Sequence, residues 1–195
     1  MAISRSLSLT MCSLLLVAAC GQAGSGNVST DVRDVGDFDR LDISGGVNVD
    51  LVVDSSAEIS VAVVYDDNLQ DNVVTRLDGD TLFIETQGNI NVTGRDRRVE
   101  VTVPALVEMK VDSGSNVDGS GSLSSLTLGV TGGATVDLGD LEVANMDIDV
   151  DSGANVDVNV RDSITGQASG GANLTIGGDP TTRNVDVSGG ANVHG

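Results

Sequence analysis

Between residues 107 and 187, apolar side chains fall on every second position in short runs that return at a regular interval. One set reads Val107, Met109, Val111; Leu126, Leu128, Val130; and Met146, Ile148, Val150. Weaker copies follow at Ile164, Gly166, Ala168 and at Val185, Val187. A second set reads Ala134, Val136, Leu138; Ala154, Val156, Val158; and Ala172, Leu174, Ile176. Polar residues fill the places between. Period two sends alternate side chains to opposite faces of a strand, so each run predicts a strand with one dry face and one wet face. No segment keeps apolar residues at i, i+3, i+4 and i+7 over a window of about eleven residues, so an amphipathic helix is not predicted.

Between the two sets stands a repeated phrase. It occurs as Asp112-Ser113-Gly114-Ser115-Asn116-Val117, then from Thr131, Asp151, Ser169 and Ser188. Taking Gly114, Gly133, Gly153, Gly171 and Gly190 as equivalent, the steps are 19, 20, 18 and 19 residues. An isolated copy, Ser44-Gly45-Gly46-Val47-Asn48-Val49, precedes the series, and a degenerate one is read at residues 87–92. A near-constant step is the mark of a repeat architecture. Two all-β folds fit: a parallel β-solenoid with coils of about 19 residues, in which equivalent residues stack about 4.8 Å apart, or an antiparallel β-sandwich. The reuse of one turn phrase favours the solenoid.

The first half is less regular. Val73–Leu77, Asp78-Gly79 and Asp80–Ile84 read as a strand, a tight turn and a strand. Val99–Val103 reads as another strand, stopped by Pro104. This half is expected to cover one end of the stack, where unpaired backbone would invite aggregation.

Composition agrees with strands. The chain has 25 glycines but two prolines, and aromatic residues are 2% of it: Phe38, Tyr65 and Phe83. A core of small and β-branched side chains suits pleated strands. Of 10 basic residues only Arg5 precedes Cys20, and all 29 acidic residues follow it. A chain beginning at Cys20 therefore carries 9 positive against 29 negative groups, a net −20. Such a body repels nucleic acid, which excludes a nucleic-acid-binding role.

Residues 1–19 read as a signal peptide: Arg5, then an apolar run too short to span a bilayer. Val17-Ala18-Ala19-Cys20 resembles a bacterial lipobox. That resemblance implies cleavage before Cys20 and acylation of it, giving a membrane anchor. Cys12 would leave with the signal, so no disulfide or cysteine-based metal site is possible in the mature chain. Gly21 stands where an Asp would retain such a protein in the inner membrane, which points to the outer membrane. Residues 20–36 read as a flexible tether, spanning roughly 20–25 Å as a random coil, and 37–195 as the β-domain.

Three segments in order carry a family resemblance: Phe38-Asp39-Arg40-Leu41-Asp42-Ile43-Ser44-Gly45-Gly46, Leu77-Asp78-Gly79-Asp80-Thr81-Leu82, and Val99-Glu100-Val101-Thr102-Val103-Pro104-Ala105-Leu106 before the Gly-Ala-Asn-Val series. Together they resemble the putative auto-transporter adhesin head GIN domain family, DUF2807. The resemblance covers residues 36–195. It implies a right-handed parallel β-helix-like fold, often behind a lipoprotein signal, and no catalytic motif. Asn replaces the Asp common in the family's turn phrase.

Candidate chemistry is sparse. The only histidine is the penultimate residue, His194, so a nucleophile–histidine pair is not expected. Asp118, Asp137 and Asp157 hold the same place in three copies. A solenoid would line them up one strand spacing apart, where calcium could bridge them or water solvate them. Tyr65 is the one candidate for stacking on a sugar, with Phe38 and Phe83 read as core. Arg95, Asp96, Arg97 and Arg98 form the only basic cluster. Asn27, Asn91 and Asn173 lie in glycosylation-like triplets that a bacterial signal makes irrelevant. The leading reading is a non-catalytic, lipid-anchored adhesion module of the cell envelope, with a protein or glycan partner. The alternatives are a passive structural component and a carbohydrate-active enzyme using a close carboxylate pair. The oligomeric state is left open.

Overall fold

The computed structural model describes residues 21–88, 90–91 and 96–195. Residues 1–19, read above as a signal peptide, lie outside the described residues, as do Cys20, Arg95 and part of the degenerate phrase at 87–92. Among the described residues the chain is all-β. The strands are β1 (Gln22–Ala23), β2 (Val28–Arg33), β3 (Arg40–Ser44), β4 (Asn48–Val53), β5 (Ser60–Asp66), β6 (Val73–Asp78), β7 (Thr81–Thr86), β8 (Ile90–Asn91), β9 (Arg98–Val103), β10 (Glu108–Val111), β11 (Asn116–Val130), β12 (Thr135–Val150), β13 (Asn155–Ala168), β14 (Asn173–Gly177), β15 (Thr182–Val187) and β16 (Asn192–His194). One 3-10 turn, Gln70–Asn72, is the only helical element among them.

The strands run in two ladders. The first is ordered β2, β5, β9, β4, β11, β12, β13, β14, β16. The second is ordered β6, β7, β3, β10, β11, β12, β13, β15. The long strands β11, β12 and β13 contribute their first part to one ladder and their last part to the other. From β9 and β7 onward every pairing is parallel. The antiparallel sandwich is therefore not how the repeats pair. Equivalent positions meet instead: Asn116 is opposite Thr135, Thr135 opposite Asn155, Asn155 opposite Asn173 and Asn173 opposite Asn192.

Inward side chains stack like on like. Val49, Val117, Val136, Val156, Leu174 and Val193 form one column. Ile84, Ile43, Val111, Val130, Val150 and Ala168 form another. Both columns enter a single hydrophobic core, almost wholly shielded from water except towards β15 and β16. Each phrase closes a tight turn, as in Ala134 N–H donating to Thr131 O at 3.1 Å and Ala172 N–H to Ser169 O at 3.0 Å. Both central residues have positive φ: 58° and 73° at Ser113-Gly114, 63° and 75° at Gly132-Gly133. That is the type I′ arrangement, which explains the glycine.

Several expectations for the first half change. The phrase at 44–49 is not isolated in space, because β3 and β4 sit between β7/β9 and β10/β11. Residues 28–33, read as tether, are a strand laid antiparallel on β5. The alternation there was missed because β2 lies at the rim, with Val28 and Val32 exposed. The Val73–Ile84 hairpin is present as β6 and β7. Antiparallel pairs thus cover one pole of the stack, β6 on β7 and then β5 and β2 on β9. At the other pole β15 and β16 are edge strands among the described residues, and Val187 is 52% exposed.

Candidate functional site

The outward residues of the first ladder make a face in which rows of one residue type cross the strands. The register places Glu100, Asp50, Asp118, Asp137, Asp157, Thr175 and His194 in one row. The three aspartates singled out from the sequence are thus neighbours, and the row is longer than the repeat alone indicated. Asp50 and Glu100 were missed because their strands come earlier in the chain, outside the constant step. Asp118, Asp137 and Asp157 are solvent-exposed, whereas Asp50 is half-buried.

Two carboxylates one strand spacing apart repel by about 1 kcal/mol at the dielectric of water. Two members of the row show the strain. Although Asp157 is exposed as a residue, the protein around its carboxyl displaces enough water to hold it above its ordinary range, and the charge of Asp137 adds to this. Burial also raises Asp50, with Asp118 and Glu100 adding and Arg98 opposing. Arg98 Nε meets Asp50 at 2.7 Å and so offsets its charge. Among the described residues no group of three acidic, histidine or cysteine side chains converges as a metal site would require.

Beside the carboxylates runs a row of amides: Asn48, Asn116, Thr135, Asn155, Asn173 and Asn192. Asn116 Nδ2 donates to Asn48 Oδ1 at 2.9 Å, Asn173 to Asn155 at 3.0 Å and Asn192 to Asn173 at 3.2 Å. Thr135 interrupts the chain of amides. Along the adjoining edge, Thr131 Oγ1 donates to Asp112 and Ser169 Oγ to Asp151, each at 2.9 Å. Asp112 also accepts from the Ser113 N–H, and Asp151 from Ser152. These donors hold both carboxyls below their ordinary range, the Ser113 backbone leading for Asp112 and the Ser169 hydroxyl for Asp151.

The remaining candidates are placed elsewhere. Tyr65 is 2% exposed, so it cannot stack on a sugar. Burial pushes its phenol up to about 12, against a smaller opposing effect of the Asn48 backbone. Phe38 is core, as expected, but Phe83 is only half-buried, since Leu82 and Ile84 take the inward places. The Arg76 guanidinium covers its ring at 4.3 Å. In the basic cluster, Arg97 forms a two-pronged pair with Asp66 at 2.9 and 3.0 Å, and Arg98 pairs with Asp50. His194 lies in β16, opposite Thr175, and is exposed. A groove lined by Arg33, Asp34, Asp37, Glu58, Ile59 and Pro104 carries carboxylates but no aromatic ring.

An all-β chain of parallel, in-register windows with rows of amides and carboxylates across one face defines a repeat protein whose chemistry is spread over a surface. The chain belongs to the family described as putative auto-transporter adhesin, head GIN domain (DUF2807), which matches residues 37–121 and 105–180. A crystal structure of a putative adhesin from Bacteroides fragilis shares the fold, with a TM-score of 0.55 at 15% identity over 89% of this chain and 99% of that one. A putative lipid binding protein from Parabacteroides distasonis and a putative adhesin from Parabacteroides merdae are more distant, both at TM-score 0.43. Their identities are 16% and 14%, over 89% of this chain and 99% and 98% of theirs. No curated protein matches the chain.

Proposed function

We propose that this protein is a non-catalytic adhesion module of the cell envelope, anchored by lipid on Cys20, whose binding surface is the face of amide and carboxylate rows. The successive windows act as coils of a right-handed β-solenoid, a rigid carrier for that face. The observation that carries the reading is the row structure itself. Polar groups repeated at one strand spacing match a ligand that also repeats, such as an envelope glycan, better than a compact substrate. Membership of a family described as adhesin supports it. So does the lipobox-like Val17-Ala18-Ala19-Cys20, and Gly21 directs the protein to the outer membrane. The carboxylate row gathers cations, calcium included, one side chain at a time.

The test is binding of the acylated protein to immobilised envelope glycans, with calcium present or chelated. The triple variant Asn116→Ser, Asn155→Ser, Asn173→Ser is expected to lose at least tenfold in apparent affinity while staying folded. Unchanged binding would remove the face from consideration. Binding to no glycan or envelope protein would favour a passive structural component, and glycan turnover would favour an enzyme.

A further inference from the structure

The residues that follow Cys20 do not hang free. β1 pairs in parallel with β8, opposite Ile90 and Asn91. Asn68, in the loop after β5, clasps the segment from both sides: its Nδ2 donates to Ala23 O at 3.0 Å, and its Oδ1 accepts from Ser25 N–H at 2.8 Å. Gln22 Nε2 donates to the Asn68 carbonyl at 3.1 Å, and Ser25 Oγ bonds to Asp67. Gly26 N–H donates at 2.7 Å to the Asp66 carboxylate, which is 1% exposed and gripped by Arg97. A Cβ on Gly24 would lie 2.4 Å from Asp66 Oδ2, so the backbone presses directly on that carboxylate. Beyond Asn27 the chain enters β2, at the rim of the covered pole.

We infer that this latch seats the β2/β5 pole of the stack against the lipid surface and carries the β15/β16 pole outward. The inference rests on acylation of Cys20. Only Gly21 separates Cys20 from Gln22, two Cα–Cα steps of about 3.8 Å and so a reach of at most about 8 Å. A free tether over residues 20–36 would let the body turn at random; a leash this short does not. From β2 to β16 the first ladder takes eight strand spacings, about 38 Å, so the two poles differ in height by far more than the leash can blur. The body's net −20 charge opposes laying its long side on anionic headgroups. The latch therefore turns a lipid anchor into an orientation, and the exposed partner of the covered pole is a lipid surface.

The test uses the acylated mature chain in vesicles of phosphatidylcholine and phosphatidylglycerol carrying a headgroup acceptor dye. A donor is placed at Asp71→Cys near the latch or at Ser188→Cys in the outermost turn, both positions exposed. Donor quenching is expected to be at least threefold stronger at position 71. Gly24→Leu, which collides with Asp66, and Asn68→Ala, which opens the clasp, are both expected to bring the ratio towards one with the unfolding midpoint little changed. Equal quenching on an acylated chain would overturn the orientation alone. A mature chain whose mass shows no acyl group on Cys20 would overturn the anchoring reading, and the orientation with it.

Discussion

Asn116 donates its side-chain amide to Asn48, a residue 68 positions earlier in the chain, at 2.9 Å. The bond joins the phrase at 44–49 to the first member of the regular series, and the same contact recurs from Asn173 to Asn155 and from Asn192 to Asn173. Asn173→Ala removes one donor and one acceptor and is expected to cost about 1 kcal/mol. Thr135→Asn fills the gap in the row, with Asn116 below it and Asn155 above it, and is expected to gain a similar amount. Urea unfolding of the two variants against the parent measures both. A destabilised Thr135→Asn would show that the row is not a cooperative ladder.

The two glycines of one turn are not equivalent. A Cβ at Gly132 would fall 2.1 Å from Asp112 Oδ1 and 2.8 Å from Ser113 N, whereas one at Gly133 meets nothing within 4 Å. Both have positive φ, so alanine at either costs about 1 kcal/mol in backbone strain. Gly132→Ala carries the collision in addition and is expected to lose clearly more than Gly133→Ala, read as unfolding midpoint. At the equivalent position before Gly114 the chain carries a non-glycine residue, Ser113, at φ 58°.

This contrast bears on what the sequence could reveal. The glycine of the phrase was legible because a turn with positive φ restricts residue type. The step of about 19 was legible because strands that pair in register must repeat their inward pattern. The place of β3 and β4 was not, since Asn48 lies 68 residues from its partner and carries no periodic signal. Tyr65, the candidate for stacking on a sugar, stands beside two acidic residues, Asp66 and Asp67, but the Asp66 charge is itself buried and neutralised by Arg97. Arg97 lies 31 residues away, too far for sequence proximity to suggest the pair. The aspartate row was legible only where the step is constant, so Asp50 was lost from it.

Acid should act in opposite directions on two kinds of aspartate. Asp112 and Asp151 titrate below the ordinary 3.8, so they add stability above that pH and lose it as pH falls below it. Asp50 and Asp157 titrate above 3.8, so their contribution is fully present below that value and is lost as pH rises through their folded midpoints. At neutral pH, Asp157→Asn is expected to raise the urea midpoint and Asp112→Asn to lower it, with the Asp157→Asn gain shrinking towards pH 3. Carboxyl-carbon NMR titration gives the four midpoints directly, and all four at 3.8 would refute the assignment.

Tyr65 is the only tyrosine and the chain has no tryptophan, so phenolate absorbance reports on one site. In the folded protein its midpoint is expected near 12 rather than 10, with burial as the cause. The folded state holds the neutral phenol, so stability falls once pH passes the unfolded value of about 10. A midpoint near 10 without loss of strand signal would place the ring at the surface.

The insertion of β3 and β4 between β7/β9 and β10/β11 has a consequence for how the chain is made. Residues 40–53 are flanked on one side by residues 81–103 and on the other by residues 108–121. No growing or emerging chain can close that layer until its first 121 residues are free together. Pairings across such long stretches form slowly. Closure of the layer therefore falls late in folding, after the segments on both sides of β3 and β4 are available to pair.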